Sequence, residues 1–209
     1  SDSLSITIDT TSPDAPSSLT TAAATTDDTT PTITGSAEAG STVKIYSGTT
    51  LLGSGTADSN GSFSITTSTL SEGDYGLTAT ATDAAGNTST ASDSYTITID
   101  TTAPSAPTSL TTTATAEDST PTITGSAEAG STVKLYNGTT LLGTGTADSN
   151  GAFSITTSTL ANGDYGLTAT ATDAAGNASS SSDSLSITVN STSSTLGEYG
   201  TLDLDHNWK

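Results

Sequence analysis

An all-β chain built from tandem sandwich modules is predicted by three observations. Residues 31–60, PTITGSAEAGSTVKIYSGTTLLGSGTADSN, return almost unchanged as residues 121–150, PTITGSAEAGSTVKLYNGTTLLGTGTADSN. Apolar residues alternate with Thr and Ser: Val43 and Ile45; Phe63 and Ile65; Leu77, Ala79 and Ala81; Tyr95, Ile97 and Ile99. Short clusters of Gly, Asn and Asp punctuate the alternation. A period of about 90 residues matches one β-sandwich module. Alternation of period two places one side-chain set inward and the other in water. Thr is itself a good strand former on such a half-buried surface.

Seven strands are predicted in the first copy. They cover residues 17–21, 31–37, 42–46, 50–56, 62–67, 75–82 and 92–99. The turn signals between them are Asp27-Asp28, Ala39-Gly40, Ser47-Gly48, Asn60-Gly61, Gly73-Asp74 and Gly86-Asn87. Seven short strands in one module predict an immunoglobulin-like β-sandwich of about seven strands. The segment Leu70-x-x-Gly73-Asp74-Tyr75, repeated at residues 160–165, places a Tyr at the opening of the sixth strand. That is the position of a tyrosine corner, whose hydroxyl ties back to the backbone upstream; the plainer reading is a core aromatic.

The repeat is phased from its edges. SDSLSITID at residues 1–9 recurs as SDSYTITID at 92–100 and as SDSLSITVN at 182–190. This segment closes a module, so residues 1–9 read as the closing strand of a preceding repeat. The first module then spans residues 10–100 and the second residues 101–190. The short linkers at residues 10–16 and 101–107 carry prolines, which fix φ and remove donors, and so predict extended connections. Residues 191–209 do not repeat and contain the sole Trp, Trp208, and the sole His, His206. With Leu202 and Leu204 alternating, they resemble the start of another β-rich module. The sequence begins inside a repeat, so no leader is read and a longer parent protein is expected.

Composition narrows the partners. Lys+Arg is 3 against Asp+Glu 22, a formal net charge of -19. Such a field repels nucleic acid and anionic lipid and attracts divalent cations. It also keeps a protein soluble, which is the plainer reason for an acidic surface. Cys is absent, so no disulfide or thiol chemistry is available. No apolar run reaches membrane-spanning length. Only 31% of residues are hydrophobic, which predicts a thin core and modest stability. No Ser lies in a G-x-S-x-G elbow with a partner His, and no phosphate loop, zinc spacing or basic patch occurs. Catalysis is not expected, because one active site does not need copying.

Four motifs recur in the same order in both copies: DTT-x-P-x-AP (with Thr11 or Thr102 preceding the variable position), TPTITGSAEAGSTVK, ADSNG and TATATDAAGN. Over residues 9–190 they resemble the bacterial Ig-like tandem repeats of giant type I-secreted, RTX-type or biofilm-associated surface adhesins. That resemblance implies an extracellular extender that projects a terminal ligand-binding domain for adhesion or biofilm formation. The ligand, whether host, glycan or surface, would then be bound by domains outside this sequence. The resemblance further implies Ca²⁺ at the module junctions.

The residues themselves point the same way. With strands alternating in direction, the loops after the second, fourth and sixth strands return to the linker end of the module. They carry Glu38, Asp58 with Asn60, and Asp83 with Asn87, and Asp9 of the preceding segment arrives at the same end. Asp100, Glu128, Asp148, Asn150, Asp173 and Asn177 form the matching set at the next junction. At the opposite end Asp27 and Asp28, matched by Glu117 and Asp118, offer a second candidate site. Ca²⁺ takes six to eight hard oxygens and tolerates flexible loops, whereas Mg²⁺ demands a strict octahedron. Apposed carboxylates are unfavourable unless a cation screens them. The alternative is that Asp, Asn and Gly are there for the turns alone.

Two readings from other classes stand beside the spacer. Residues 1–9 could be donated to a neighbouring chain's sheet, making a filament, although residues 182–190 already fill that place in the second module. The modules could also bind glycan or protein directly, but no exposed aromatic cluster supports it.

Overall fold

The computed structural model describes Leu4 and residues 6–191. By its contacts the chain divides into two units, one of Ser1–Pro104 with Thr172–Ala178 and one of Ser105–Ala171 with Ser179–Lys209.

In the first unit, alternating apolar residues form β1 (Ser17–Thr20), β2 (Thr25–Thr26), β3 (Thr32–Ser36), β4 (Thr42–Ser47), β5 (Thr50–Thr56), β6 (Ser62–Thr66), β7 (Gly73–Thr82) and β8 (Tyr95–Ile99). They make two sheets, ordered β1-β3-β6 and β2-β8-β7-β4-β5. The pairings are antiparallel except for β2, which runs parallel to β8 through Thr25↔Thr98 and Thr26↔Ile99. The second unit repeats the plan, without a strand equivalent to β2 among the described residues. Strands β9 (Thr108–Thr112), β10 (Thr122–Ser126) and β13 (Ala152–Thr156) form one sheet. The other contains β11 (Thr132–Asn137), β12 (Thr140–Thr146), β14 (Gly163–Thr172) and β15 (Leu185–Val189). The predicted immunoglobulin-like sandwich is therefore the fold.

The inward residues of each sheet meet as a single core. In the first unit Ile33, Val43, Ile45, Leu77, Ala79, Ile97 and Ile99 are fully buried, with Phe63, Ile65 and Leu70 beside them. Ile123, Val133, Leu135, Leu167 and Ala169 repeat the set in the second. Alanine and glycine on inward positions let the sheets approach closely. A Cβ built on Gly53 falls 2.9 Å from Ile65 Cγ2 and 2.9 Å from the Thr66 carbonyl oxygen, so only glycine fits there.

Three details differ from the sequence reading. The two-residue strand β2 was not predicted, since Thr25-Thr26 shows no alternation. The seventh predicted strand starts at Tyr95, not at Ser92. Upstream of it, Ser89 and Ser92 run beside β7 with hydroxyls in place of backbone: Ala81 N–H donates to Ser89 Oγ at 3.0 Å and Ala79 N–H to Ser92 Oγ at 2.9 Å. The serine N–H groups donate in return to the Ala81 and Ala79 carbonyls. Ser179 and Ser182 do the same against Ala171 and Ala169. Finally, Pro13, Pro16, Pro104 and Pro107 are buried, so the linker prolines are packed as well as extended.

The tyrosine corner is present in both units. Tyr75 Oη donates to the Ser71 carbonyl at 3.0 Å, and Tyr165 Oη to Ala161 at 2.9 Å. The described part of residues 1–9 lies outside any strand, with Leu4, Ile6 and Ile8 85%, 76% and 84% exposed. Trp208, His206, Leu202 and Leu204 lie outside the described residues, as does all of the non-repeating tail after Ser191.

Candidate functional site

The strand directions bring the three acidic loops of the first unit to one end. Strand β4 runs antiparallel to both β5 and β7, so the loop before β4 and the loops after β5 and β7 leave the sheet on the same side. Two of them are knitted together through backbone. Ala37 N–H donates to the Gly61 carbonyl at 2.8 Å, and Gly40 N–H to the Ala57 carbonyl at 3.0 Å. The third is tied to the arriving chain, since Asn87 Nδ2 donates to the Asp9 carbonyl at 3.2 Å.

Within these loops the aspartates cap turns. Asp58 Oδ1 accepts the N–H groups of Asn60 at 2.8 Å and Ser62 at 2.9 Å. Asp83 Oδ1 accepts from Ala85 and Asn87 N–H, and its Oδ2 from Asn87 Nδ2 at 2.8 Å. Asp9 Oδ1 accepts Thr11 N–H at 3.0 Å. Glu38 lies exposed, its carbonyl capped by Ser41 N–H.

The other copy is built alike. Asp148 caps Asn150 and Ala152 in the second unit, and Glu128 lies exposed with its carbonyl taken by Ser131 N–H and Oγ. In the loop 172–178, which groups with the first unit, Asp173 Oδ1 accepts Gly176 and Asn177 N–H. Asn177 Nδ2 bridges Asp173 Oδ2 and the Asp100 carbonyl, both at 2.9 Å. Asp100 Oδ1 accepts Thr102 N–H at 3.0 Å.

The second-site candidates are also turn caps in part. Asp28 Oδ1 accepts Thr30 N–H and Oγ1–H, and Asp118 does the same with Thr120. Asp27 N–H donates to the Ala175 carbonyl at 3.2 Å, placing its turn against the loop 172–178 inside the first unit. Glu117 is exposed. Among the described residues no three His, Cys, Asp or Glu side chains gather as a metal-binding group. The loops share an end of the sheet, and their Asp58 and Asp83 carboxylates are each hydrogen-bonded within their own turn.

Hydrogen bonding sets the ionisation of two of these groups. The Asn87 side-chain amide is the largest influence on the Asp83 carboxyl and lowers it. Burial comes next and pushes upward, and the N–H groups of Asn87, Ala85 and Gly86 add to the lowering, so the group sits below its ordinary 3.8. At Asp173 burial is the largest influence and pushes upward. The Asn177 amide and the N–H groups of Asn177, Gly176 and Ala175 together outweigh it, so this carboxyl too sits low. A lowered folded-state value contributes stability above the unfolded pKa that is lost as pH falls through the folded one. Melting temperature should therefore fall as pH drops below about 4. Asp83→Asn should lessen that acid dependence, and an unaltered slope in melts from pH 7 to 2.5 would contradict the assignment.

One functional contact was not foreseen. Glu72, in the turn before β7, accepts the hydroxyls of Thr101 at 3.0 Å and Thr102 at 2.7 Å. In the second unit Asn162 holds Ser191, accepting its N–H and Oγ–H at 2.9 Å each. The signal in the sequence was the shared position in Leu-x-[Glu or Asn]-Gly-Asp-Tyr, which gives no hint of a partner about thirty residues away.

A model of the bacterial Ig domain matches residues 15–98 and again residues 103–190. The chain belongs to the bacterial Ig domain family. Bacterial Ig modules of this kind are non-catalytic, so the array is structural or adhesive and not an enzyme. Among curated proteins none matches the chain.

Solved structures similar to the bacterial Ig array include the BSP domain of a biofilm-associated protein, at 24% identity and TM-score 0.36. That match covers 85% of this chain and 30% of the other. The fibronectin(III)-like modules of CbhA from Clostridium thermocellum match at 22% identity and TM-score 0.47, covering 82% and 94%. A tetra-tandem repeat in the extending region of a large adhesion protein matches at 25% and TM-score 0.34, covering 83% and 48%. The chain thus spans about a third of the first of these and about half of the third. No described helix is long and apolar enough to cross a membrane.

Proposed function

We propose that these modules are an extender segment of a secreted bacterial surface adhesin, with neighbouring repeats as partners and Ca²⁺ stiffening the joints between them. The observation that carries the reading is the end of the first unit where three acidic loops leave the sheet and one is bonded to the arriving Asp9. The donor set is chemically suited to Ca²⁺: carboxylates, Asn side-chain oxygens and backbone carbonyls, all hard oxygens. Asp58, whose hydrogen bonds go to Oδ1, keeps Oδ2 for another partner. Asp9, Glu38, Asp58, Asn60, Asp83 and Asn87 would hold the ion in the first module, and Asp100, Glu128, Asp148, Asn150, Asp173 and Asn177 in the second. The ion would supply charge neutralisation at the most acidic places of a chain of net charge -19. At ten to a hundred times Kd, one ion stabilises by about 1.4–2.7 kcal/mol.

Outside the cell this chain would hold a ligand-binding domain, carried elsewhere in the protein, away from the surface. X-ray scattering tests the reading: Ca²⁺ should lengthen the maximum dimension relative to chelator, and superimposable profiles would end it.

A second reading rests on residues 1–9. Leu4, Ile6 and Ile8 are exposed, whereas Ile97 and Ile99, at the equivalent repeat positions of Ile6 and Ile8, are buried in β8. Donated to another chain's sheet, they would build a filament. Sedimentation should then show assembly in the full sequence and its loss when residues 1–9 are deleted; a monomer in both leaves the spacer reading alone.

A further inference from the structure

The chain leaving the first sandwich is held by hydrogen bonds to backbone and side-chain groups. Asp100 N–H donates to the Thr26 carbonyl at 3.0 Å, extending the β2–β8 pairing by one residue. Its carbonyl accepts Asn177 Nδ2, and its Oδ1 accepts Thr102 N–H. The next two side chains, Thr101 and Thr102, both donate to one oxygen, Glu72 Oε2. A carboxylate accepting two hydroxyls makes charge-assisted bonds, which are stronger than neutral ones. The equivalent loop of the second unit uses Asn162 against Ser191, so the position is kept for the same task with different chemistry.

We propose that Glu72 is a positioning residue, an exit clasp that fixes the path of residues 100–102 by hydrogen bonding and without a metal ion. Its counterpart is Asn162, which fixes Ser191. The clasp sits in the turn ahead of β7, whereas the acidic loops lie at the end reached after β5 and β7. It therefore sets chain direction from the side of the module being left. It also explains why both exit segments carry hydroxyl residues just past the residue that follows the final strand, Thr101-Thr102 after Asp100 and Ser191 after Asn190. Calcium at the acidic loops and the clasp are separate devices, and either can fail alone.

Amide ¹H–¹⁵N heteronuclear NOEs of the full chain test it, recorded in EDTA and again in Ca²⁺. In EDTA the wild-type values at Thr101 and Thr102 should stay within the range of the β8 amides. Glu72→Ala should lower them by half or more in both buffers, with β7 and β8 unchanged. Glu72→Gln, whose amide oxygen still accepts, should retain most of the order. Asn162→Ala should loosen Ser191 only. Should Glu72→Ala disturb the fold, the exposed pair Thr101→Val and Thr102→Val removes the same bonds from the other side. Rigid Thr101 and Thr102 amides in Glu72→Ala and in the double valine variant would overturn the proposal. So would a wild-type segment that is ordered in Ca²⁺ and loose in EDTA. Failure of the calcium reading shows differently, as scattering that does not respond to the ion.

Discussion

Leu77→Ala is expected to destabilise the first sandwich by about 2–5 kcal/mol. Leu77 is fully buried at the centre of β7, between the inward faces of both sheets. Alanine removes most of its apolar surface and leaves a cavity that strands on three sides cannot close. Small domains have only about 5–15 kcal/mol in total, and a core containing Ala79, Ala81, Gly53 and Gly55 on inward positions belongs at the lower end. Each kcal/mol shifts the melting point of a domain this size by about 4–8 °C. Calorimetry should show a first-module transition at least ten or so degrees lower, and the second, built around Leu167, in place. Equal displacement of both would mean that the modules unfold as one body.

Gly35→Ala is the second large effect, and it works by excess volume. A Cβ on Gly35 would lie 2.5 Å from Phe63 Cζ and 2.9 Å from the Ser17 carbonyl oxygen. Neither neighbour yields easily. The Phe63 ring is buried, and Ser17 opens β1 beside Ser18, which is already in the left-handed region at φ 55. Overpacking of this kind costs about 1–3 kcal/mol. The cause is checked by a double-mutant cycle with Phe63→Leu: the smaller side chain should recover part of the loss, a coupling of about 0.5–3 kcal/mol. Strict additivity would mean that the clash lies with β1 and not with the ring. A Cβ on Gly125 would likewise lie 2.6 Å from Phe153 Cζ, so the second module offers an independent repeat of the experiment.

The strands were legible because their inward positions repeat with period two, and that pattern has one physical meaning. Thr50–Thr56 agrees with the sequence reading at both ends, and the others to within a few residues. What escaped was structure made by side chains standing in for backbone. Ser89 and Ser92 mimic strand pairing with their hydroxyls at a spacing of three, so Ser92 reads as the start of the last strand and Ser89 gives no sign of pairing at all. Strand β2 escaped because two residues carry no period.

At the candidate site the sequence reading located the loops, since turn residues mark loops, and alternation of strand direction assigned their common end. Its plainer alternative, turn residues serving the turns, is what Asp58, Asp83, Asp148 and Asp173 are seen to do, each capping its own loop through Oδ1. The carboxylate that grips the exit, Glu72, lies outside the repeated acidic set and has a different residue in the second copy. A contact between positions 72 and 102 exists only once the sheet is closed.

Parallel pairing of β2 with β8 has a mechanical meaning. β2 lies near the start of its module and β8 at the finish, and they run side by side in one direction. Tension applied through the two ends of the module draws them in opposite senses along a shared axis. The bonds from Thr98 N–H to the Ala24 carbonyl, 2.7 Å, and from Asp100 N–H to the Thr26 carbonyl, 3.0 Å, then carry load together. Antiparallel neighbours pulled from one end open like a zip, one bond at a time; these two must shear at once. A two-residue strand that adds almost nothing to the core is thus the part of the module best placed to resist being pulled apart.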